Sequence, residues 1–295
     1  MMAADLEGFF LNCFIGGETV TVQPDGSPIK NKIELAFGGH NVTIIQRPEI
    51  ISAKRSEYRG LTVPTTSVVV HNVDVEEREK ILHLLRGLAH LLSFATCSDI
   101  AFYQWKHPGS RPSGERWSVV ARMGYFRPPF NISDGKAIRT YLELVWREYF
   151  RLEERRKLPV AIHLFVLAET RSLPLELKLA TMFILLENLK STHAEEQGYP
   201  FEDGYYRKAS GKKWSCKALL LDMFKQVNMP SPDLSAIVDL RNDIIHSGIS
   251  QTSGDHQQDI YDNCQDLVRE YLLRLLGYTG NFLLYSGRGM TSKRI

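Results

Sequence analysis

The sequence predicts an α+β protein: a β-rich N-terminal domain with one amphipathic helix, followed by an all-α helical bundle. Three observations carry that expectation. Short runs before residue 125 alternate apolar and polar side chains, the period of a half-buried strand. From residue 136 onward, apolar residues recur every three or four positions, the period of a helix with one buried face. Between the two regimes the composition shifts to Pro128-Pro129 and a Ser133-Asp134-Gly135 turn.

Strands are expected at 8–15, 32–37, 41–46, 65–71, 100–105 and 116–123, punctuated by turns at Asp25-Gly26, Gly38-Gly39 and Pro108-Gly109. The interrupting helix, 75–94, places Ile81, Leu84, Leu85, Leu88, Leu91 and Leu92 on one stripe. Helices follow at 136–156 and 159–170, although the β-branched content of the second leaves a strand open. A long apolar helix spans 173–197, with Pro174 in its first turn. The remaining helices are 215–227, closed by Pro230 and Pro232; 234–247, stopped by Gly248; and 257–277. The domains so read are 1–128, a recognition or regulatory unit; 134–285, the bundle; and a basic tail at 286–295.

Of the 295 residues, 43% are hydrophobic and 24% charged, enough apolar material for a core. A net charge of +2 means that any basic surface must be local. Cys13, Cys97, Cys216 and Cys264 are scattered with no C-x-x-C pair, as expected of free thiols in a reducing compartment, and no zinc site is expected. The N-terminal Met-Met-Ala-Ala-Asp-Leu-Glu is acidic where a secretory signal would be basic. The longest apolar stretch, 160–168, is interrupted by His163 and too short to span a bilayer. A soluble cytoplasmic protein without a membrane partner is the expectation, with the sequons at Asn41 and Asn131 unused. There is no P-loop, G-x-S-x-G, H-E-x-x-H or dinucleotide fingerprint, so no cofactor is expected, and the dispersed N-terminal histidines read as structural.

Chemistry concentrates in Arg241-Asn242-Asp243-Ile244-Ile245-His246-Ser247-Gly248. Leu234, Ile237, Leu240 and Ile244 form the buried stripe of this helix, while Asp239, Asn242, Asp243 and His246 share another face. Asn242 or Asp243 can therefore set the His246 tautomer, leaving the other ring nitrogen for proton transfer. Arg241, whose planar fork suits phosphate, sits about 140° around the helix from His246. One straight helix cannot converge the pair, whereas two copies meeting across a two-fold axis can. RNA supplies its own nucleophile, the 2′-hydroxyl, so a histidine and a cation suffice for metal-independent transesterification to a 2′,3′-cyclic phosphate and a 5′-hydroxyl. The spacing alone is weak: Arg78 to His83 repeats it, and Arg156 to His163 is a looser copy.

The R-x4-H string with its polar residue after arginine resembles the motif of the HEPN superfamily. The preceding Leu185-Leu186-Glu187-Asn188-Leu189 and the closing Glu270-Tyr271-Leu272-Leu273-Arg274-Leu275-Leu276-Gly277-Tyr278 fit the same likeness. Residues 136–285 are covered, and the β-rich region before them resembles the ApeA-like branch. The resemblance implies a HEPN-type bundle, a homodimer and endoribonuclease activity, with Arg241 and His246 as catalytic residues supported by Asn242 and Glu187. It further implies a toxin or antiphage effector, with a protein trigger or antitoxin as possible partner. Gly248 stands where HEPN toxins under polyadenylylation control carry tyrosine. The alternative is a non-catalytic bundle for RNA binding or dimerisation with a partner-sensing N-terminal domain.

One further segment suits RNA. Tyr205-Tyr206-Arg207-Lys208-Ala209-Ser210-Gly211-Lys212-Lys213-Trp214 holds four cations, no acid and three aromatics. Arg207, Lys208, Lys212 and Lys213 can track phosphates while Trp214 stacks on a base. The bland alternatives are a solvated charge run and a Trp214 that anchors the next helix.

Overall fold

The computed structural model describes residues 4–22, 26–52, 55–58, 61–114, 126–247, 253–287 and 289–295. The predicted strand at 116–123, the Gly248 helix stop and the side chain of His246 lie outside the described residues. Two compact units result, Met1–Arg147 and Glu148–Ile295. The α+β expectation holds, with the sheet in the first unit and most helices in the second.

In the first unit, β1 (Ala4–Leu11), β2 (Thr19–Val22), β3 (Pro28–Phe37) and β4 (His40–Gln46) precede two short helices, α1 (Pro48–Ser52) and α2 (Arg55–Tyr58). Then come β5 (Pro64–Val73), α3 (Arg78–Thr96), β6 (Ala101–Lys106) and β7 (Ser113–Gly114). The strands form one antiparallel sheet in the order β2-β3-β4-β5-β1-β6-β7. Its inner face is the alternating set the sequence displays: Leu6 and Phe10, Ile33 and Leu35, Val42 and Ile44, Val68 and Val70, all buried. Helix α3 lies on that face, bringing Leu85 Cδ1 to 2.8 Å of where a Cβ on Gly8 would stand. Gly38 and Gly39, both at positive φ, turn β3 into β4 with two residues, as a tight hairpin requires. A Cβ on Gly38 would meet Leu84 Cδ1 at 1.7 Å, so the same residue also lets α3 approach. Strand β2 escapes the sequence reading: it is an edge strand whose Val20 and Val22 are exposed.

Helix α4 (Gly135–Leu152) starts at the predicted turn, where Asp134 Oδ1 accepts the Lys136 and Ala137 amides at 3.1 and 3.2 Å. The division between units falls inside α4, later in the chain than the composition shift. Beyond it lie α5 (Leu158–Ala168), α6 (Leu175–Glu196), α7 (Cys216–Gln226), α8 (Ser235–Ser247) and α9 (Gly254–Leu275). The segment open between helix and strand is thus helical. Helix α6 packs against α5, α7, α8 and α9, so Leu179, Met182, Phe183, Leu185, Leu186 and Leu189 are buried around it.

Two hairpins decorate these helices. The segment between α6 and α7, expected as a loop, forms β8 (Phe201–Glu202) and β9 (Tyr205–Tyr206), extended by a bridge from Arg207 to Lys213. Part of the expected tail forms β11 (Thr291–Arg294), paired with β10 (Asn281–Leu284). The C-terminal hairpin is tied to α9 by buried charge. Asp266 Oδ2 accepts the Tyr285 and Ser286 amides at 2.8 and 2.6 Å, and Glu270 Oε2 binds Lys293 Nζ at 2.6 Å. Arg269, fully buried, pairs with Asp266 and lies 3.5 Å from Glu169. Among the described residues, no helix is long and apolar enough to cross a membrane.

Candidate functional site

Glu187, in the middle of α6, is the hub where three helices meet. Arg241 reaches it from α8, with Nη2 3.1 Å from Glu187 Oε1, while Arg241 Nη1 donates to Asn242 Oδ1 at 2.9 Å. Lys190, one helical turn after Glu187, donates from Nζ to Glu187 Oε2 at 2.5 Å. Cys216, the first residue of α7, donates its thiol to Glu187 Oε1 at 3.6 Å and lies 3.8 Å from Lys190 Nζ. Of the predicted residues, Glu187, Arg241 and Asn242 are brought together. His246 lies in the last helical turn of α8, and its side chain is outside the described residues.

Two cations around one carboxylate leave the cluster with an excess positive charge. The Arg241 side chain is 23% exposed and Glu187 36%, so the pair faces solvent rather than closing on itself. Phe183, Leu186, Leu220, Ile237 and Val238 line a small, shallow cleft together with Glu187, Cys216 and Arg241. Burial lifts the Cys216 thiol above its ordinary value, against the pull of Lys190 and Arg241, and Glu187 raises it further. It is held as a thiol rather than a thiolate nucleophile. In this cluster Arg241 Nε has no protein partner among the described residues; Asn188 Oδ1, Trp214 Nε1 and Arg156 Nε, elsewhere in the helical unit, share that condition. Buried polar atoms left open in this way call for a ligand or water.

The basic hairpin abuts the cluster. Tyr206 Oη lies 3.4 Å from Ser191 O on α6, and burial pushes its hydroxyl pKa up, with Glu195 and Glu187 adding to the shift. Its charges are largely engaged. Arg207 pairs with Glu202 at 2.7 Å and Asp203 at 2.9 Å, acids just upstream of the segment the sequence singled out. Lys208 Nζ sits 4.3 Å above the Trp214 ring, which stacks on Tyr199 at 5.4 Å, and Lys213 Nζ lies 3.9 Å above Tyr205. Lys212 is exposed.

A second polar cluster sits at the C-terminal end of α6. His193, 1% exposed, has Nδ1 2.8 Å from Gln226 Oε1 and Nε2 2.9 Å from Asp222 Oδ2, which also accepts from Tyr199 at 2.9 Å. Both ring nitrogens are taken, so this histidine is architectural. Lys190, Cys216 and His193 have no mark in the sequence beyond their residue type, except that Lys190 follows Glu187 at the i,i+3 spacing of an ion pair. Among the described residues, no group of three or more His, Cys, Asp or Glu side chains is placed to hold a metal ion. No family model, curated protein or solved structure matches this chain.

Proposed function

We propose that the helical unit is a HEPN-type, metal-independent endoribonuclease acting as a cytoplasmic homodimer, in the manner of a toxin or antiphage effector. The observation that carries the reading is Arg241, held by Glu187 across α6 and α8 on the helix whose last turn holds His246. Glu187 and Asn242 fix the guanidinium direction, Lys190 adds positive charge, and Arg241 Nε has no protein partner among the described residues. A guanidinium so oriented grips a phosphodiester and stabilises the charge of its pentacoordinate state. His246 then moves the proton of the 2′-hydroxyl or of the leaving 5′-oxygen. The partner copy brings its own α8 to the cleft, since Arg241 and His246 lie about 140° apart on one helix.

Purified protein incubated with total RNA in EDTA should yield fragments ending in 2′,3′-cyclic phosphate. His246→Ala and Arg241→Ala should each lower the rate by about a hundredfold or more. Equal cleavage by parent and variants, or none by any, would sink the nuclease reading. A strict need for a divalent metal would sink the mechanism. A sedimentation experiment at micromolar concentration should report twice the chain mass.

The second reading, a non-catalytic RNA-binding or dimerisation module, is favoured by the exposed Lys212 of the hairpin. Phosphates reaching Lys208 and Lys213 must first displace them from Trp214 and Tyr205, which limits the hairpin's contribution. RNA retained by the protein without cleavage, and released by Lys212→Glu together with Lys213→Glu, is its signature.

A further inference from the structure

The outer face of the seven-stranded sheet joins three residues that are far apart in sequence. Thr43 on β4, His71 on β5 and Asp5 on β1 stand in a row across neighbouring strands. Thr43 Oγ1 lies 2.9 Å from His71 Nε2, and His71 Nδ1 lies 3.1 Å from Asp5 Oδ2. A carboxylate only accepts, so Nδ1 carries a proton toward Asp5, and in the neutral ring Nε2 faces the hydroxyl with its lone pair. The other Asp5 oxygen accepts the Asn72 amide at 3.2 Å, fixing the carboxylate plane. His107 Nδ1 lies 3.2 Å from the Asp5 carbonyl oxygen and steadies the strand from the other side.

The backbone is shaped for this row. Between the pairs Ala4↔Val73 and Leu6↔Val70, β5 carries one more residue than β1, a bulge at His71-Asn72 opposite Asp5. Asn72 takes a left-handed φ of 55°, which turns its N–H toward the carboxylate. Bulges and left-handed residues of this kind re-aim side chains, and they concentrate next to active sites. Only the strand order brings the partners of His71 to it, so the sequence, in which the N-terminal histidines are dispersed, does not display the row.

We propose that Thr43 is a nucleophile, His71 its general base and Asp5 the residue that orients His71, forming an acyl-transfer site for small neutral esters. The surroundings select that class. Val69, cross-strand from Thr43, and Ile45, two residues along β4, offer half-buried apolar contact. Glu34, the other cross-strand partner of Thr43, and Asp5 outnumber Lys32, cross-strand from Ile45, so the row has no excess positive charge with which to hold a phosphate. In the reaction Thr43 Oγ bonds to the ester carbonyl carbon as its proton passes to His71 Nε2. The carbon–oxygen bond to the leaving alcohol breaks, and His71 returns the proton to that alcohol. Water, deprotonated by His71, then attacks the acyl-threonine, releasing the acid and restoring the hydroxyl. This site is independent of the nuclease reading.

The test uses the full chain with p-nitrophenyl acetate, following nitrophenolate release and mapping the acetylated residue by peptide mass spectrometry. Acetyl should be found on Thr43. Thr43→Val and His71→Gln should each cut release by about a hundredfold, while Thr43→Ser keeps it. Labelling confined to lysines, or release by Thr43→Val equal to the parent, overturns the proposal. Should Thr43→Val fail to fold by circular dichroism, Thr43→Ser decides: folded but unlabelled, it overturns the proposal, and labelled at position 43, it supports it.

Discussion

Helix α6 carries two polar clusters about two turns apart, and they are built on opposite plans. Toward its C-terminal end, His193 is saturated by Asp222 and Gln226, and the fully buried Arg156 pairs with Glu196 at 2.8 Å, with the Leu189 carbonyl and with the Tyr271 hydroxyl. At mid-helix, Glu187 gathers Arg241, Lys190 and Cys216 at a partly exposed surface with excess positive charge. The first cluster joins α6 to α9 and α7, and burial makes each of its partners indispensable to the others. The second stands at a partly solvated surface that a solute can reach. Ionisable residues alone do not distinguish them; exposure does.

The contrast can be broken at its strong end first. Arg156→Ala leaves Glu196 and Tyr271 without their buried partner and should cost about 3–5 kcal/mol in denaturant unfolding. A loss below about 1 kcal/mol would mean that water reaches the cluster and that it is not closed.

Alkaline pH gives a second, smaller effect. Burial lifts the Tyr271 hydroxyl to about 12, with Arg156 pulling the other way. Its folded value lies above its unfolded value near 10, so its stabilising contribution is complete below pH 10. That contribution is lost as pH rises toward 12, at up to about 1.4 kcal/mol per pH unit. Unfolding titrations at pH 9, 10 and 11 should show this decline, and Tyr271→Phe should flatten it.

The smallest effect is expected at the open cluster. Arg241→Ala should change stability by about 1 kcal/mol or less, because the pair with Glu187 is partly solvated. A collapse comparable with that of Arg156→Ala would place Arg241 among the architectural residues and remove the ground for a ligand there.

The two units were unequally legible. Strands β3, β4, β5 and β6 declare themselves because one face is buried and the pleat imposes a period of two. The strand expected at 8–15 overlaps β1, Ala4–Leu11, only over 8–11, because the buried run Cys13, Phe14 and Ile15 continues the apolar pattern past the strand's end. Strand β2 repeats Thr-Val with neither valine buried, so no apolar alternation announces it, and β10 is four residues long with Phe282 alone buried, too short to display a period of two. In the helical unit, spacing located α8 and singled out Arg241 and Asn242, while Glu187 entered through the family resemblance alone. It could not show that Glu187 and Arg241 touch across 54 positions, nor that the first residue of α7 joins them. The Thr43, His71 and Asp5 row was illegible for the same reason, since strand order is decided by the whole sheet.

The stack of Lys208, Trp214 and Tyr199 makes the protein its own optical probe. An indole under an ammonium and against a phenol ring emits in a field set by both neighbours. A polyanion that draws Lys208 away removes the charge from above the ring, so Trp214 should shift in colour and intensity as the hairpin is engaged. With Trp105 and Trp146 replaced by phenylalanine and Trp117 by tyrosine, that emission isolates the hairpin two residues from Cys216 and times its opening without an attached dye.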